Sequence, residues 1–286
     1  MARSFHLLKS ITEIIGKRCP MQRGVFRTFI VCAILLISLP YASRAQQEPL
    51  HIAAAADLQP VLPPILDEFQ RASGIEARAT FQASAALTTL IQNGAPFDLF
   101  LSADLRFPKR LIEAGFADIN GIAGSDPSSA IPYARGTLVL WTRKDGHWPN
   151  PSLDTLRDPS LQRLAIANPE RAPYGRAAMA ALTSLNLADA LKSKFVTAEN
   201  ISQAAQFTET GNADAGLISL TSAKTGRLTS LGNYFVIPAN LYPPIEQGAV
   251  IVTKTPQRER ARKFLDFLLS PAIQQELAKA GLTPVK

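Results

Sequence analysis

Short apolar runs alternate with segments of helical period along almost the whole chain, and that alternation restricts the fold to α/β architecture with sheets of mostly parallel strands. Residues 50–54 read as a short apolar strand. Leu58, Val61, Leu62, Ile65, Leu66 and Phe69 then recur at helical spacing. Pro63 and Pro64 interrupt them; proline lacks a donor and clashes with the preceding turn, which predicts a short first turn and a fresh start near Pro63. Residues 75–81 are a second strand, and 85–92 a helix that buries Leu87, Leu90 and Ile91 and stops at Asn93-Gly94. Residues 98–102 and 107–114 add a strand and a helix, the latter ended by Gly115, which completes a small doubly wound βαβαβα unit.

A second unit follows Ile131-Pro132, with strands at 137–142, 164–167 and 215–219 and helices at 175–184 and 201–210. A strand at 248–253 and an amphipathic helix at 257–269 return the chain to the first unit, from near Tyr242. The pattern therefore predicts two lobes: residues 46–133 and 242–286 in the first, 134–241 in the second.

Residues 1–45 have a different character. Arg23 and Arg27 precede an apolar run at 29–39 that is short for a membrane span, and Ser43-Arg44-Ala45 offers small residues for cleavage after Ala45. This is an export signal preceded by an N-terminal extension, with Met21 a plausible second start. The segment holds seven of the 30 basic residues and one of the 23 acidic ones, so the remaining chain has 23 and 22 and a net charge near +1. The basic character thus belongs to the presequence, which removes the main support for nucleic-acid binding. Cys19 and Cys32 also lie in this segment, which leaves the exported chain without a disulfide, a thiol nucleophile or a thiolate metal site.

Catalysis finds little material. Beyond the presequence only His51 and His147 remain, and no HExxH, GxSxG or P-loop pattern occurs. Helix starts are more promising, because the first amides of a helix have no intrahelical partner and carry partial positive charge, which suits an anion. Ser84 stands where it could cap the helix that follows. Ala53-Ala54-Ala55-Ala56-Asp57, Pro173-Tyr174-Gly175 and Thr197-Ala198-Glu199-Asn200-Ile201 form three further starts. Two lie in each lobe, as in a cleft that closes on a small ligand. Arg176 could add positive potential there or simply occupy a solvated helix face.

The stretch Gly94-Ala95-Pro96-Phe97-Asp98-Leu99-Phe100-Leu101-Ser102-Ala103-Asp104 resembles a signature of the periplasmic molybdate-binding proteins of ABC transporters. Ala54-Ala55-Ala56-Asp57-Leu58, Asn168-Pro169-Glu170 with Pro173-Tyr174-Gly175, and Ala215-Gly216-Leu217-Ile218 extend the similarity in order over nearly all of the exported chain. The resemblance implies a type II solute-binding fold of two lobes, a ligand cleft between them, and a tetrahedral oxyanion held by neutral donors. It implies Ser84 as hydroxyl and amide donor, Asp57 in place of a common serine, Tyr174 and Ile201 through their backbone N–H groups, and Ser219 where some members place a tyrosine hydroxyl. These five would hold molybdenum only as molybdate, through its oxygens. Asp57 is the awkward member: an ionised carboxylate repels a dianion, so its side chain is expected to cap its own helix or turn away. The remaining expectations are molybdate or tungstate as ligand, no cofactor and no enzymatic activity. A membrane permease with a cytoplasmic ATPase would be the partner, and the protein would be a periplasmic monomer. Sulfate, another oxyanion or a small organic acid is the alternative ligand on the same fold; an enzyme or a sensor is the more remote reading.

Overall fold

The structure, a computed structural model, describes residues 48–118 and 130–285. The expected export signal, its expected cleavage point and both cysteines lie outside the described residues. From Glu48 onward the described residues belong to one compact unit, built on two sheets.

The first sheet is centred on β1 (Leu50–Ala55), which pairs in parallel with β2 (Ala77–Gln82) and β3 (Leu99–Ser102). The chain leaves this sheet through β5 (Ile131–Gly136) and re-enters it through β11 (Ile245–Val252). A strand that enters from the edge by which another leaves must run against it, so β11 is antiparallel to both β3 and β5. Two short strands, β4 (Ala117–Asp118) and β12 (Thr283–Pro284), add antiparallel pairs. The second sheet follows the same plan. In it β7 (Leu164–Ala167) is parallel to β8 (Phe195–Ala198) and β9 (Ala215–Ser219), whereas β6 (Leu138–Arg143) is antiparallel to β9 and to β10 (Gly232–Val236). The expectation of mostly parallel sheets is thus corrected to two mixed sheets, because each lobe needs an entering and a leaving strand. The first sheet runs through Gly136 and the second begins at Leu138, so the two lobes meet at Thr137.

One consequence fixes the site. The parallel strands β1, β2 and β3 of one sheet and β7, β8 and β9 of the other end at the junction of the lobes, the edge where open α/β sheets bind ligands. Each is followed there by a turn or a helix start: the 3-10 turn Ala56–Leu58, and helices Ser84–Gln92, Arg106–Glu113, Pro173–Ser184, Ile201–Glu209 and Leu220–Ala223. The prolines act as expected, with Pro63 and Pro64 in the first turn of the separate helix Leu62–Ser73, where their missing N–H groups would have no partner anyway.

Each lobe has its own core. Leu50, Ile52, Phe69, Leu99, Phe100 and Phe264 are among the fully buried members of the first, where the Phe69 and Phe264 rings meet edge to face at 5.1 Å. Trp141, Leu164, Ile166, Leu182 and Leu217 anchor the second. Three small residues of the first lobe, Ala55, Ala56 and Ala103, pack into the second lobe's cluster instead of their own, which makes the junction a tight apolar seam. A further bond ties the lobes together, the Leu138 N–H donating to Tyr242 Oη at 3.1 Å, while the Ile237 N–H donates to the Leu138 carbonyl at 3.1 Å within the second lobe.

Candidate functional site

Four of the five residues singled out from sequence, Asp57, Ser84, Tyr174 and Ile201, line a single small cavity in the seam between the lobes. Small residues form the rest of its wall: Ala55, Ala56, Ala83, Ala103, Ala172 and Pro173, together with Gln82 and Asn200. The space open to the centre of a water molecule is about 10 Å³, about one water's worth, so the lobes stand closed around it.

The donors come from helix starts. The helix Ser84–Gln92 opens at Ser84 itself, with Ala83 as the flanking residue and no side-chain cap. Ser84 is therefore not an N-cap, which corrects the sequence reading. Its hydroxyl instead accepts the Ala103 N–H at 3.1 Å, which holds the end of β3 against the helix start and leaves the hydroxyl proton available to a ligand. Pro173 opens the helix that carries Tyr174, again without a side-chain cap. At Ile201 the preceding Asn200 accepts the Gln203 N–H at 3.0 Å, so the cap is spent one turn in. Helix geometry leaves the first amides at Ser84, Tyr174 and Ile201 without intrahelical acceptors, and all three belong to residues on the cavity.

Asp57 is wholly buried at the cavity wall. It does not cap its own turn, the first of the two arrangements expected from the sequence. Its Oδ2 accepts from Tyr174 Oη, at 3.1 Å across the lobes, and from Gln247 Nε2. Its Oδ1 is buried without a partner, and so is Gln247 Oε1. Burial pushes the Asp57 carboxyl from 3.8 up to about 6, against the pull of hydrogen bonds from Gln247 and Tyr174 and of its own amide. The Tyr174 hydroxyl is itself driven well upward by burial and by Asp57, so it stays protonated and donates. A Cβ at Gly136 would collide with that hydroxyl, which explains a glycine at the end of β5.

Ser219 is not on the cavity. It ends β9 and its Oγ accepts the Ser222 N–H at 3.2 Å, capping the short helix Leu220–Ala223, while Thr221 Oγ1 and Ser222 Oγ complete a buried hydroxyl cluster. The neighbouring Thr221 is what reaches the first lobe, placing Oγ1 2.8 Å from the Asp57 carbonyl. Ser202 Oγ likewise donates to the Ala56 carbonyl at 2.7 Å, and the Ala85 N–H to the Arg171 carbonyl at 3.2 Å. Arg176 pairs with Asp104 across the lobes and stacks over the Phe107 ring at 5.5 Å, so it is a bridge and not a solvated face.

Sequence reasoning missed Gln247, Thr221 and the Arg176–Asp104 pair. Gln247 had a signal, a lone amide within the apolar strand Ile245–Val252, but its partner lies 190 residues away. The Asn200 cap was legible from its spacing to Gln203.

Chemically, the cavity presents amide and hydroxyl dipoles from both lobes to a small closed space, and none of the described residues on its wall is Lys or Arg. Among the described residues, no three His, Cys, Asp or Glu side chains gather where they could share a metal ion. Such a site suits a hydrogen-bonded oxyanion, whose desolvation is tolerable only if its oxygens are satisfied.

Comparison with known proteins agrees with this geometry. Residues 50–283 match the family model of bacterial extracellular solute-binding proteins. The chain is 36% identical over 241 residues to the molybdate-binding protein ModA of Azotobacter vinelandii, covering 84% of this chain and 92% of that protein. It is 35% identical over 215 residues to ModA of Rhodobacter capsulatus, covering 74% and 79%. Among solved structures, the Azotobacter vinelandii periplasmic molybdate-binding protein superposes with a TM-score of 0.75 at 30% identity, over 83% of this chain and all of that one.

Proposed function

The chain belongs to the bacterial extracellular solute-binding proteins and, within them, to the molybdate-binding ModA family, and from that premise we propose that it captures molybdate, and tungstate with it, in the periplasm. Loaded and closed, it delivers the oxyanion to an inner-membrane ABC permease driven by a cytoplasmic ATPase. It works as a monomer, without a cofactor and without catalysis. Residues 1–45 direct it to the periplasm and are removed after Ala45.

The observation that carries this reading is the meeting of three helix starts, from both lobes, on one cavity with small-residue walls. Ser84 supplies a hydroxyl and an amide, Tyr174 and Ile201 supply amides, and closure removes water from all of them at once. Amide and hydroxyl donors suit a fully deprotonated oxyanion, because every one of its oxygens can then accept a hydrogen bond.

Thermal unfolding of residues 46–286 tests the reading, with molybdate, tungstate, sulfate, phosphate and buffer in parallel. A ligand at about a hundred times its dissociation constant adds about 2.7 kcal/mol to the folded state, a clear rise in midpoint. A rise with molybdate and tungstate but not with sulfate or phosphate is the expected result. A rise with sulfate or phosphate alone transfers the site to another oxyanion, and no rise with any of them removes the oxyanion reading.

A further inference from the structure

We propose that Asp57 meets the bound oxyanion as a neutral carboxylic acid, so that the receptor takes up one proton with each dianion it closes on. The inference rests on the oxyanion reading above and gives Asp57 a part in it that the backbone alone would not.

The geometry points there from three sides. Asp57 is fully buried and belongs to the wall of a cavity with room for about one water, so an ion held there stands beside it. Its two oxygens are not equivalent: Oδ2 receives Tyr174 Oη and Gln247 Nε2, whereas Oδ1 is buried with no partner. An acceptor with no donor is a costly thing to bury, and a proton on Oδ1 turns it into a donor whose acceptor is the ligand itself.

Among the described residues the surroundings supply no positive charge in compensation. The titratable groups that act on Asp57 or on its donor are all tyrosines: Tyr174 through its hydrogen bond, Tyr133 through its field, and Tyr242 beside Tyr174. The elements packed on its turn offer neutral groups, Gln82 from β2, Ser202 from the helix Ile201–Glu209 and Thr221 from the helix Leu220–Ala223; β11 offers Gln247. The Arg176 guanidinium is committed to Asp104. With no cation among the described residues turned to the carboxylate, a dianion beside it can be accepted only if the negative charge of Asp57 is first neutralised. Burial has already moved that carboxyl to about 6, and an adjacent dianion moves it further in the same direction. The proton comes from solvent and resides on Oδ1; no bond of the ligand changes.

Isothermal titration of the exported chain with micromolar molybdate, between about pH 6.5 and 8.5 and in two buffers of different ionisation heat, tests this. The wild type is expected to weaken up to about tenfold per pH unit and to take up close to one proton per molybdate near pH 7.5. Asp57→Asn, which keeps an acceptor for Tyr174 and Gln247 and places a permanent amide donor beside the ligand, should show no pH slope, no proton uptake and at least tenfold tighter binding at the alkaline end. Molybdate binding by the wild type with a flat pH profile and no proton uptake overturns the role of Asp57 and leaves the receptor reading standing. No binding heat from either protein at any pH overturns both. Should the variant fail to fold, the proton count of the wild type decides alone.

Discussion

Two buried aspartates stand at opposite ends of the first lobe's sheet, and they are held differently. Asp98 precedes β3 at the edge away from the cleft; its Oδ2 accepts the His51 N–H at 2.7 Å and Gln257 Nε2 at 3.0 Å, while Oδ1 takes Thr255 Oγ1. Every oxygen is satisfied, and the residue ties β1, β3 and the segment after β11 into one rim. Asp57 stands past the end of β1, with one oxygen satisfied and the other orphaned. The difference separates two uses of a buried carboxylate: where the partners are complete the group holds the fold, and where one place is left open it is poised for something that arrives.

The largest expected effect comes from removing the complete one. Asp98→Asn presents an amide donor to donors already in place and should cost about 3 kcal/mol in urea unfolding, since breaking a buried charge-assisted set leaves its partners unpaired. Molybdate affinity should change less than about threefold. An affinity loss out of proportion to the stability loss would break the division between the two ends.

The same substitution at Asp57 should have the opposite sign. A carboxyl raised from 3.8 to about 6 favours the folded protein while it is protonated, fully so below 3.8, and that advantage is lost as pH rises through 6. Asp57→Asn removes this loss. The ligand-free variant should therefore be more stable than the wild type by about 2 to 3 kcal/mol near pH 8, the value of a shift of about two units, and no more stable near pH 4. Equal stabilities at both pH values would mean that the orphaned oxygen of Asp57 finds a partner in solution.

Ser84 sharpens the comparison from the ligand's side. Ser84→Ala removes a hydroxyl that steadies the Ala103 N–H and stands free to donate. Molybdate affinity should fall about tenfold to a hundredfold, in line with about 1.5–3 kcal/mol for a hydrogen bond to a charged group, with a stability loss near 1 kcal/mol. Titration calorimetry paired with urea unfolding reads both numbers on one preparation.

Sequence made the architecture legible because strand and helix periods are local, and the positions of β1, β3, β7 and β9 and of the helices that follow the first three emerge from them. The strands β5, β8 and β10 were harder, since Pro132 breaks the first and the other two are short and half exposed. The site was legible in part for the same reason: a helix start is a local feature, and four starts pointed at one cleft. What stayed hidden is how particular side chains are spent within each lobe. Ser84 looked like a cap because the Ala103 amide that occupies it is 19 residues away. Ser219 was expected at the ligand through the resemblance alone, although the Ser222 N–H that its hydroxyl caps is only three residues away. The most recognisable stretch, around Asp98, turns out to specify the structural end of the sheet more than the ligand.

The smallest expected effect lies between the two lobes. Asp104 divides its oxygens: Oδ1 accepts the Arg106 and Phe107 N–H groups at 3.1 and 3.2 Å and so secures a helix start in its own lobe, while Oδ2 takes Arg176 from the other. Arg176→Gln therefore removes the bridge and leaves the helix start intact, whereas a change at Asp104 would confuse the two. The pair is only partly screened from solvent, its side chains 25% and 12% exposed, which limits its worth to about 1 kcal/mol. Because the bond exists only when the lobes are closed, that energy appears as a smaller closed fraction and an apparent affinity lowered about fivefold, with the intrinsic contacts unchanged. The pH slope set by Asp57 should survive the substitution. A slope that vanished with Arg176 would mean that this guanidinium, and not a proton, answers the charge at Asp57.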